Sequence, residues 1–454
     1  MERRLLVTAF VLHVAVTLFV ALHHEAWRDE ADPWLLMRDG DAASIVRAAA
    51  NRGVPLLFEL TVWPFARAGV PYVAQQLLNL VYVWGAVALI LRSRAFATPV
   101  KILFAFSYYP AFEYAVIARP YGLQMLLTFA MADAWRARYD RPVRIGLFIA
   151  LLANTTTLGL MTAAVAGLLL LWERVPWRGL AVAVAGGLIA VAQLWPREGR
   201  QQVYSAVQLD TVWFAVASMV FPSMRIEDAI GGALVILGIL VYGISRRWTA
   251  VVFLAATMTA LLLIYVFIWM GGLRHAGILL VVALAAVMIA DAYGPYRRER
   301  LLMAALAVSL AYSLLPAWNA WVAETKYAFS GSREAAAYIR KAGLDRNAVL
   351  VSHTLLWSSP LAYLPDAKIW YPARGRFGTF SRWERSDEEL ARMPLEAVLE
   401  RARMQFRGRR WVFIGNTELP APLRREYRLI YRTSEPIWSR LEEQYWIYEP
   451  AVRP

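Results

Sequence analysis

Residues 145–172 read IGLFIALLANTTTLGLMTAAVAGLLLLW. A helix needs about 20 apolar residues to cross the hydrocarbon of a bilayer. This run is long for one crossing and short for two, and the polar tetrad Asn154-Thr155-Thr156-Thr157 lies inside it. Its reading decides the topology of everything that follows, because one helix or two sends the rest of the chain to opposite sides. The arginines supply the test, since basic clusters stay on the cytoplasmic side of a membrane. They fall at Arg3 and Arg4; Arg92 and Arg94; Arg136, Arg138, Arg141 and Arg144; Arg174 and Arg178; Arg246 and Arg247; and Arg297, Arg298 and Arg300. With a break at the Asn-Thr tetrad these clusters occupy every second loop. Without it the alternation fails, so the run is read as two short helices.

Other apolar stretches predict membrane passages at Leu5–Leu22, Val73–Leu91, Val100–Ile117, Leu123–Trp135, Leu180–Trp195, Ile230–Ile244, Ala250–Met270, Ala276–Tyr293 and Leu301–Trp318. The total is about eleven. His23, His24 and Glu25 follow the first stretch directly and no small-residue cleavage site separates them, so it reads as a retained helix rather than a signal peptide. The composition agrees with lipid as the solvent: 59% of the 454 residues are hydrophobic and 18% are charged. A net charge of +14 arises from arginines clustered between apolar runs, which fits membrane topology better than nucleic-acid binding. There is no cysteine, so disulfides and thiolate metal sites are excluded. Walker-type loops, Gly-x-Ser-x-Gly and His-Glu-x-x-His are absent too, which removes the familiar NTPase, hydrolase and metalloprotease readings.

The loops on the other face are 23–72, 107–121, 196–229, 271–275 and everything after Trp318. In the first, Val54–Ala66 is apolar but too short to span and reads as a helix lying in the interface. After residue 318 the composition becomes that of an α/β module. A helix is expected from Ser332, as its cap, through Lys341. A capping-box pattern, Ser386 with Glu389, precedes another near Pro394. Strands are expected at Ala348–Ser352, Trp411–Ile414, Leu429–Tyr431 and Tyr445–Tyr448. The domains are therefore a transmembrane region, 1–318, and an extracytoplasmic α/β domain, 319–454.

Three polar groups collect on this face. Glu25-Ala-Trp-Arg28-Asp29-Glu30-Ala-Asp32-Pro-Trp34 crowds carboxylates that must hold a cation, take a raised pKa or face basic partners. A solvated juxtamembrane loop is the plainer reading, and the two tryptophans pin the segment at the interface. The second group, Tyr108 to Tyr121, contains Glu113 and Arg119, charges that are costly beside a membrane unless they pair or meet a ligand. A Glu113–Arg119 ion pair holding the hairpin is the plainer alternative. The third, Gly271-Gly272-Leu273-Arg274-His275, offers close backbone approach and donors suited to phosphate, or else a contact with lipid headgroups.

At Arg28-Asp29-Glu30-Ala31, Gly53-Val54-Pro55-Leu56, Glu113-Tyr114 and Arg119-Pro120-Tyr121 the chain resembles the GT-C superfamily of membrane glycosyltransferases. The likeness is to the family 39 branch with its protein mannosyltransferases and lipid A aminoarabinose transferase. Residues 329–338 are similar to the opening of the outer domain in bacterial relatives. The second loop here carries one acid, Glu113, where relatives often carry two.

The resemblance implies a GT-C-like all-α polytopic bundle followed by the C-terminal α/β domain. It also implies transfer of a sugar from a polyprenyl-phosphate donor to a lipid, glycan or protein acceptor at the extracytoplasmic face of a bacterial inner membrane. Asp29 is then the general base, and Glu30 and Glu113 position the acceptor or a cation. Arg28, Asp32, Arg119, Tyr121, Arg274 and His275 bind substrate, the last two with Arg119 facing the departing phosphate. The metal candidates are Asp29, Glu30 and Glu113. A divalent cation, Mg or Mn, is compatible with the sequence and not required by it. A polytopic transporter or flippase, or a non-catalytic subunit of cell-envelope polysaccharide assembly, is the alternative; the transporter lacks the repeated halves and midplane charges such proteins show.

Overall fold

The computed structural model describes residues 1–195, 207–294, 300–353, 358–383, 392–434, 436–439 and 443–451. Arg297, Arg298 and the Ser386–Glu389 capping box lie outside the described residues.

The bundle opens with α1 (Glu2–His23). Three short helices follow in the first long loop: α2 (Arg28–Asp39), α3 (Ala42–Arg52) and α4 (Leu57–Arg67), the last within the stretch expected to form a helix at Val54–Ala66. Next come α5 (Val73–Arg92), α6 (Thr98–Phe106), α7 (Tyr121–Ala134), α8 (Pro142–Ala153), α9 (Thr157–Trp172), α10 (Trp177–Leu194), α11 (Asp210–Val220), α12 (Ile226–Ile244), α13 (Trp248–Phe267), α14 (Leu273–Ala292), α15 (Arg300–Tyr312) and α16 (Leu314–Lys326). Among the described residues seven stretches are long and apolar enough to cross a membrane, the α15–α16 run counting as one; the other four expected passages fall on the shorter helices α6, α7, α8 and α9.

The Asn-Thr tetrad divides 145–172 as expected. Thr156 caps α9 by accepting the Gly159 N–H at 2.9 Å, and Asn154 donates to the carbonyls of Ala150 and Gly186. Two features differ from expectation. The loop 196–229 contains α11, whose 11 residues rise only about 16 Å and which packs on α12 and α14. The final helix continues past Trp318 to Lys326.

Helix α14 is the axis of the bundle. It is apolar all round, and 89% of its span is buried inside the protein, against 28% for α1 and 22% for α12. Its start carries Arg274 and His275; near its far end Asp291 pairs with Arg136 at 2.9 Å, so the arginine-rich loops gather at the opposite end. Between α8 and α10 the backbones approach over small residues, as membrane helices do where no hydrophobic force separates them from lipid. A Cβ on Gly146 would run into the Gly179 carbonyl, and one on Gly186 into Ala150.

The C-terminal module contains α17 (Ser332–Lys341), α18 (Leu344–Asn347) and α19 (Leu395–Gln405) around a six-stranded mixed sheet. Its strands are β1 (Val349–Ser352), β2 (Ile369–Tyr371), β3 (Arg376–Gly378), β4 (Trp411–Gly415), β5 (Tyr427–Arg432) and β6 (Trp446–Pro450), in the order β3-β2-β1-β4-β6-β5. β1 pairs in parallel with β2 and β4, and the remaining pairs are antiparallel. The four expected strands correspond to β1, β4, β5 and β6. Ser332 does not cap α17 as expected: Gly331 occupies that position, and the Ser332 hydroxyl donates to the Ala26 carbonyl of the first loop at 2.5 Å.

That contact is one of several clamping the module onto the first loop. Asp32 accepts from the Ser381 N–H and the Trp383 indole, both at 2.8 Å, and the Ala26 N–H donates to the Tyr363 hydroxyl at 2.8 Å. Glu443 accepts from the Arg28 N–H at 3.2 Å and from the hydroxyls of Ser330 and Tyr445 at 3.0 and 3.1 Å. Burial pushes its carboxyl up to about 7, against the pull of these donors.

Two stability predictions follow from this packing. Gly146→Leu lowers the unfolding temperature in detergent by several degrees or abolishes folding, whereas Gly187→Leu, whose added atoms meet open space, leaves it unchanged. Because folded Glu443 holds its proton more tightly than the unfolded chain, its contribution is complete at low pH and declines as pH rises from 4.5 to about 7. The loss is about 3 kcal/mol at 1.36 kcal/mol per pKa unit. Glu443→Gln removes that component from a pH series of thermal unfolding.

Candidate active site

The site lies where α2, the 107–121 loop and the start of α14 converge. In α2 the first turn carries Asp29 and Glu30, acids suited to the positive end of a helix. Pro33 stands four residues after Asp29 and has no N–H, so the Asp29 carbonyl lacks its helical donor. The Arg119 guanidinium donates to that carbonyl instead. The 107–121 loop makes one wide turn at Tyr109–Glu113, closed by the Tyr114 N–H on the Tyr109 carbonyl at 2.8 Å. This turn presents Glu113, whose carboxylate accepts the Tyr108 hydroxyl at 2.7 Å.

Arg274 is the centre of the charge arrangement. Its guanidinium is 3.6 Å from the Asp29 carboxylate and 3.6 Å from that of Glu113. The Trp27 ring lies against it, centroid 5.0 Å from Cζ, and the Arg274 carbonyl accepts the Tyr114 hydroxyl at 2.6 Å. Arg119 and Arg28 flank Asp29 at 4.0 and 3.7 Å. Asp29 itself keeps 28% of its side chain exposed, so it is held among three guanidiniums and still reachable. The Arg119 Nε–H is buried and lacks a hydrogen-bond partner among the described residues.

His275 is buried and both its ring nitrogens are engaged. Nδ1 lies 2.8 Å from the Gly272 N–H, which can only donate, so the ring proton of the neutral imidazole resides on Nε2. Nε2 is 2.7 Å from the Tyr121 hydroxyl and donates to it. The Tyr121 O–H is thereby left to donate elsewhere, towards the space bordered by Arg119 and Arg274.

Two expected site residues face away. Glu30 is wholly buried: its carboxylate meets His24 Nε2 at 2.7 Å and the Ala118 N–H at 2.5 Å. Asp32 is consumed by Ser381 and Trp383 of the C-terminal module. Nor do Glu113 and Arg119 pair with each other: the first has Arg274 as its counter-ion and the second has Asp29. Of the three metal candidates, Glu30 is therefore elsewhere and a guanidinium stands between the other two. Among the described residues no group of three His, Asp or Glu is disposed to hold a metal ion. Trp27 and Tyr108 also contribute to the site; the sequence placed them in the first and second polar groups but gave Trp27 only the part of an interface anchor and Tyr108 none of its own.

No protein-family model matches the chain, and no curated protein matches it. Among solved structures it is similar to ArnT from Cupriavidus metallidurans in the apo state, with TM-score 0.58 at 13% identity over 96% of this chain and 97% of that one. A looser likeness, TM-score 0.39 at 15% identity, is to the arabinofuranosyltransferase AftD from Mycobacteria over 78% of this chain and 29% of that one. Over nearly the whole length of both, this chain has the fold of the ArnT structure.

Proposed function

We propose that the chain transfers a sugar from a polyprenyl-phosphate carrier to a hydroxyl of a lipid, glycan or protein acceptor, at the extracytoplasmic face of a multi-pass inner-membrane enzyme. The observation that carries this reading is a partly exposed carboxylate set among three guanidiniums, with an unpartnered N–H and a free hydroxyl proton beside it, at one end of a membrane bundle.

In this reading Asp29 accepts the acceptor's hydroxyl proton as that oxygen bonds to the anomeric carbon. The bond from that carbon to the phosphate oxygen breaks with its electron pair, and polyprenyl phosphate leaves. Attack opposite the leaving group inverts the anomeric centre. The charge growing on the phosphate is met by Arg119, Arg274 and the Tyr121 hydroxyl, which His275 orients. Glu113 keeps Arg274 in place rather than touching the substrate. The polyprenyl chain stays in lipid throughout, which accounts for chemistry at the bundle's edge. The C-terminal module, outside the membrane on the same side, fixes the loop that bears Asp29.

The test is turnover of polyprenyl-phosphate-linked pentoses and hexoses by purified protein, with cell-envelope extract as the acceptor source. Asp29→Asn lowers turnover by roughly 100- to 10,000-fold while leaving the unfolding temperature unchanged; full activity in that variant overturns the assignment. Tyr121→Phe, which removes one donor to the leaving phosphate, lowers kcat roughly 10- to 100-fold.

A further inference from the structure

His24 is the first residue beyond α1 and is wholly buried. Both ring nitrogens meet carboxylates: Nε2 lies 2.7 Å from Glu30 and Nδ1 lies 2.8 Å from Glu324 on α16. A neutral imidazole has one N–H and satisfies one ionised carboxylate; two such partners require the doubly protonated ring or a protonated carboxyl. Burial opposes the charge on this ring, yet the two carboxylates outweigh it and hold His24 well above the usual histidine range.

The groups around the triad are few. The His24 carbonyl accepts from the Gln76 amide at 3.1 Å and the Arg333 guanidinium at 2.6 Å, and Phe329 covers the ring at 4.5 Å between centroids. Glu25 is the next acid; it pairs with Arg333 at 3.6 Å and accepts the Phe329 N–H. Buried Tyr72 lies beside Glu30.

The triad reaches the candidate site through one continuous path. The Glu30 oxygen opposite His24 accepts the N–H of Ala118, the residue before Arg119, and Arg119 grips the Asp29 carbonyl. We propose that His24 is a positioning residue: as an imidazolium donating to Glu30 and Glu324 together, it ties the last membrane helix to the first turn of α2 and thereby sets Asp29 against Arg119 and Arg274. This inference rests on the sugar-transfer reading for its consequence in turnover, although not for the placement itself.

Glu324→Gln keeps the size and an acceptor oxygen but removes one of the two charges that favour the imidazolium. His24 then loses its proton at lower pH than in the wild type. The first readout is the pH profile of kcat for polyprenyl-phosphate sugar turnover. The variant is expected to approach wild-type kcat near about pH 6 and to fall about tenfold by about pH 8.5, with KM little changed, while the wild type stays flat there. The second needs no activity: carbodiimide labelling of the partly exposed Asp29, quantified by peptide mass in the full-length protein in detergent. Relative to wild type at the same pH, labelling in the variant rises severalfold at alkaline pH and returns on acidification.

Parallel pH profiles and equal labelling in the two proteins overturn the proposal. So does a variant whose thermal stability becomes pH-sensitive while its kcat profile and Asp29 labelling follow the wild type, since that makes the triad structural alone. If the wild type turns over no polyprenyl-phosphate sugar yet the labelling shift is seen, the sugar-transfer reading fails and the placement of Asp29 by His24 stands.

Discussion

A guanidinium held between two carboxylates at the top of a buried helix is the constraint around which this molecule is arranged. Arg274 lies in the first turn of α14, the most buried of the seven long apolar stretches, and charges in such a place are retained only when each has a counter-ion and its remaining donors are satisfied. Asp29 and Glu113 meet that demand from two different loops. The 107–121 loop must therefore widen at Tyr109–Glu113, and α2 must lie with its first turn over the start of α14. The aromatic residues serve the same end: Tyr114 and Tyr265 bond the carbonyls of Arg274 and His275 and pin the helix start from below.

The C-terminal module belongs to the same arrangement. Its contacts with the first loop are short, specific and mostly between a carboxylate or hydroxyl and a backbone group, at Asp32, Glu443, Ser332 and Tyr363. Contacts of this type fix position along the chain rather than supply bulk burial, and they grip the residues on either side of Asp29. With Glu324 on the last bundle helix facing His24, the segment that bears Asp29 is held from the bundle as well.

Much of this was legible in the sequence, and the remainder was hidden for identifiable reasons. The division at Asn154–Thr157 could be read because alternating arginine loops leave one parity. Four strands could be read because their β-branched and aromatic runs are long enough to stand out. β2 and β3, three residues each and joined through a glycine-containing turn, leave no such trace. Nor does α11, whose apolar residues read as part of an outer loop. At the site, the loops and residue types were visible but the pairing was not. Glu113 and Arg119 are close in sequence and were natural partners, whereas the fold gives each a counter-ion from another segment. Glu30, the next residue, points away from Asp29 because successive positions on a helix are turned by about 100°, whereas Asp32, three positions on, lies on the neighbouring face and is taken up by Ser381 and Trp383 of the C-terminal module.

Pro33 carries a consequence for how such sites are recognised. An imino acid in a helix is usually read as a break, yet here it vacates one carbonyl at the residue whose carboxylate faces the solvent, and a cation from another loop docks there. The spacing that matters joins an acid to a proline four positions downstream, a signature of backbone chemistry rather than of side chains.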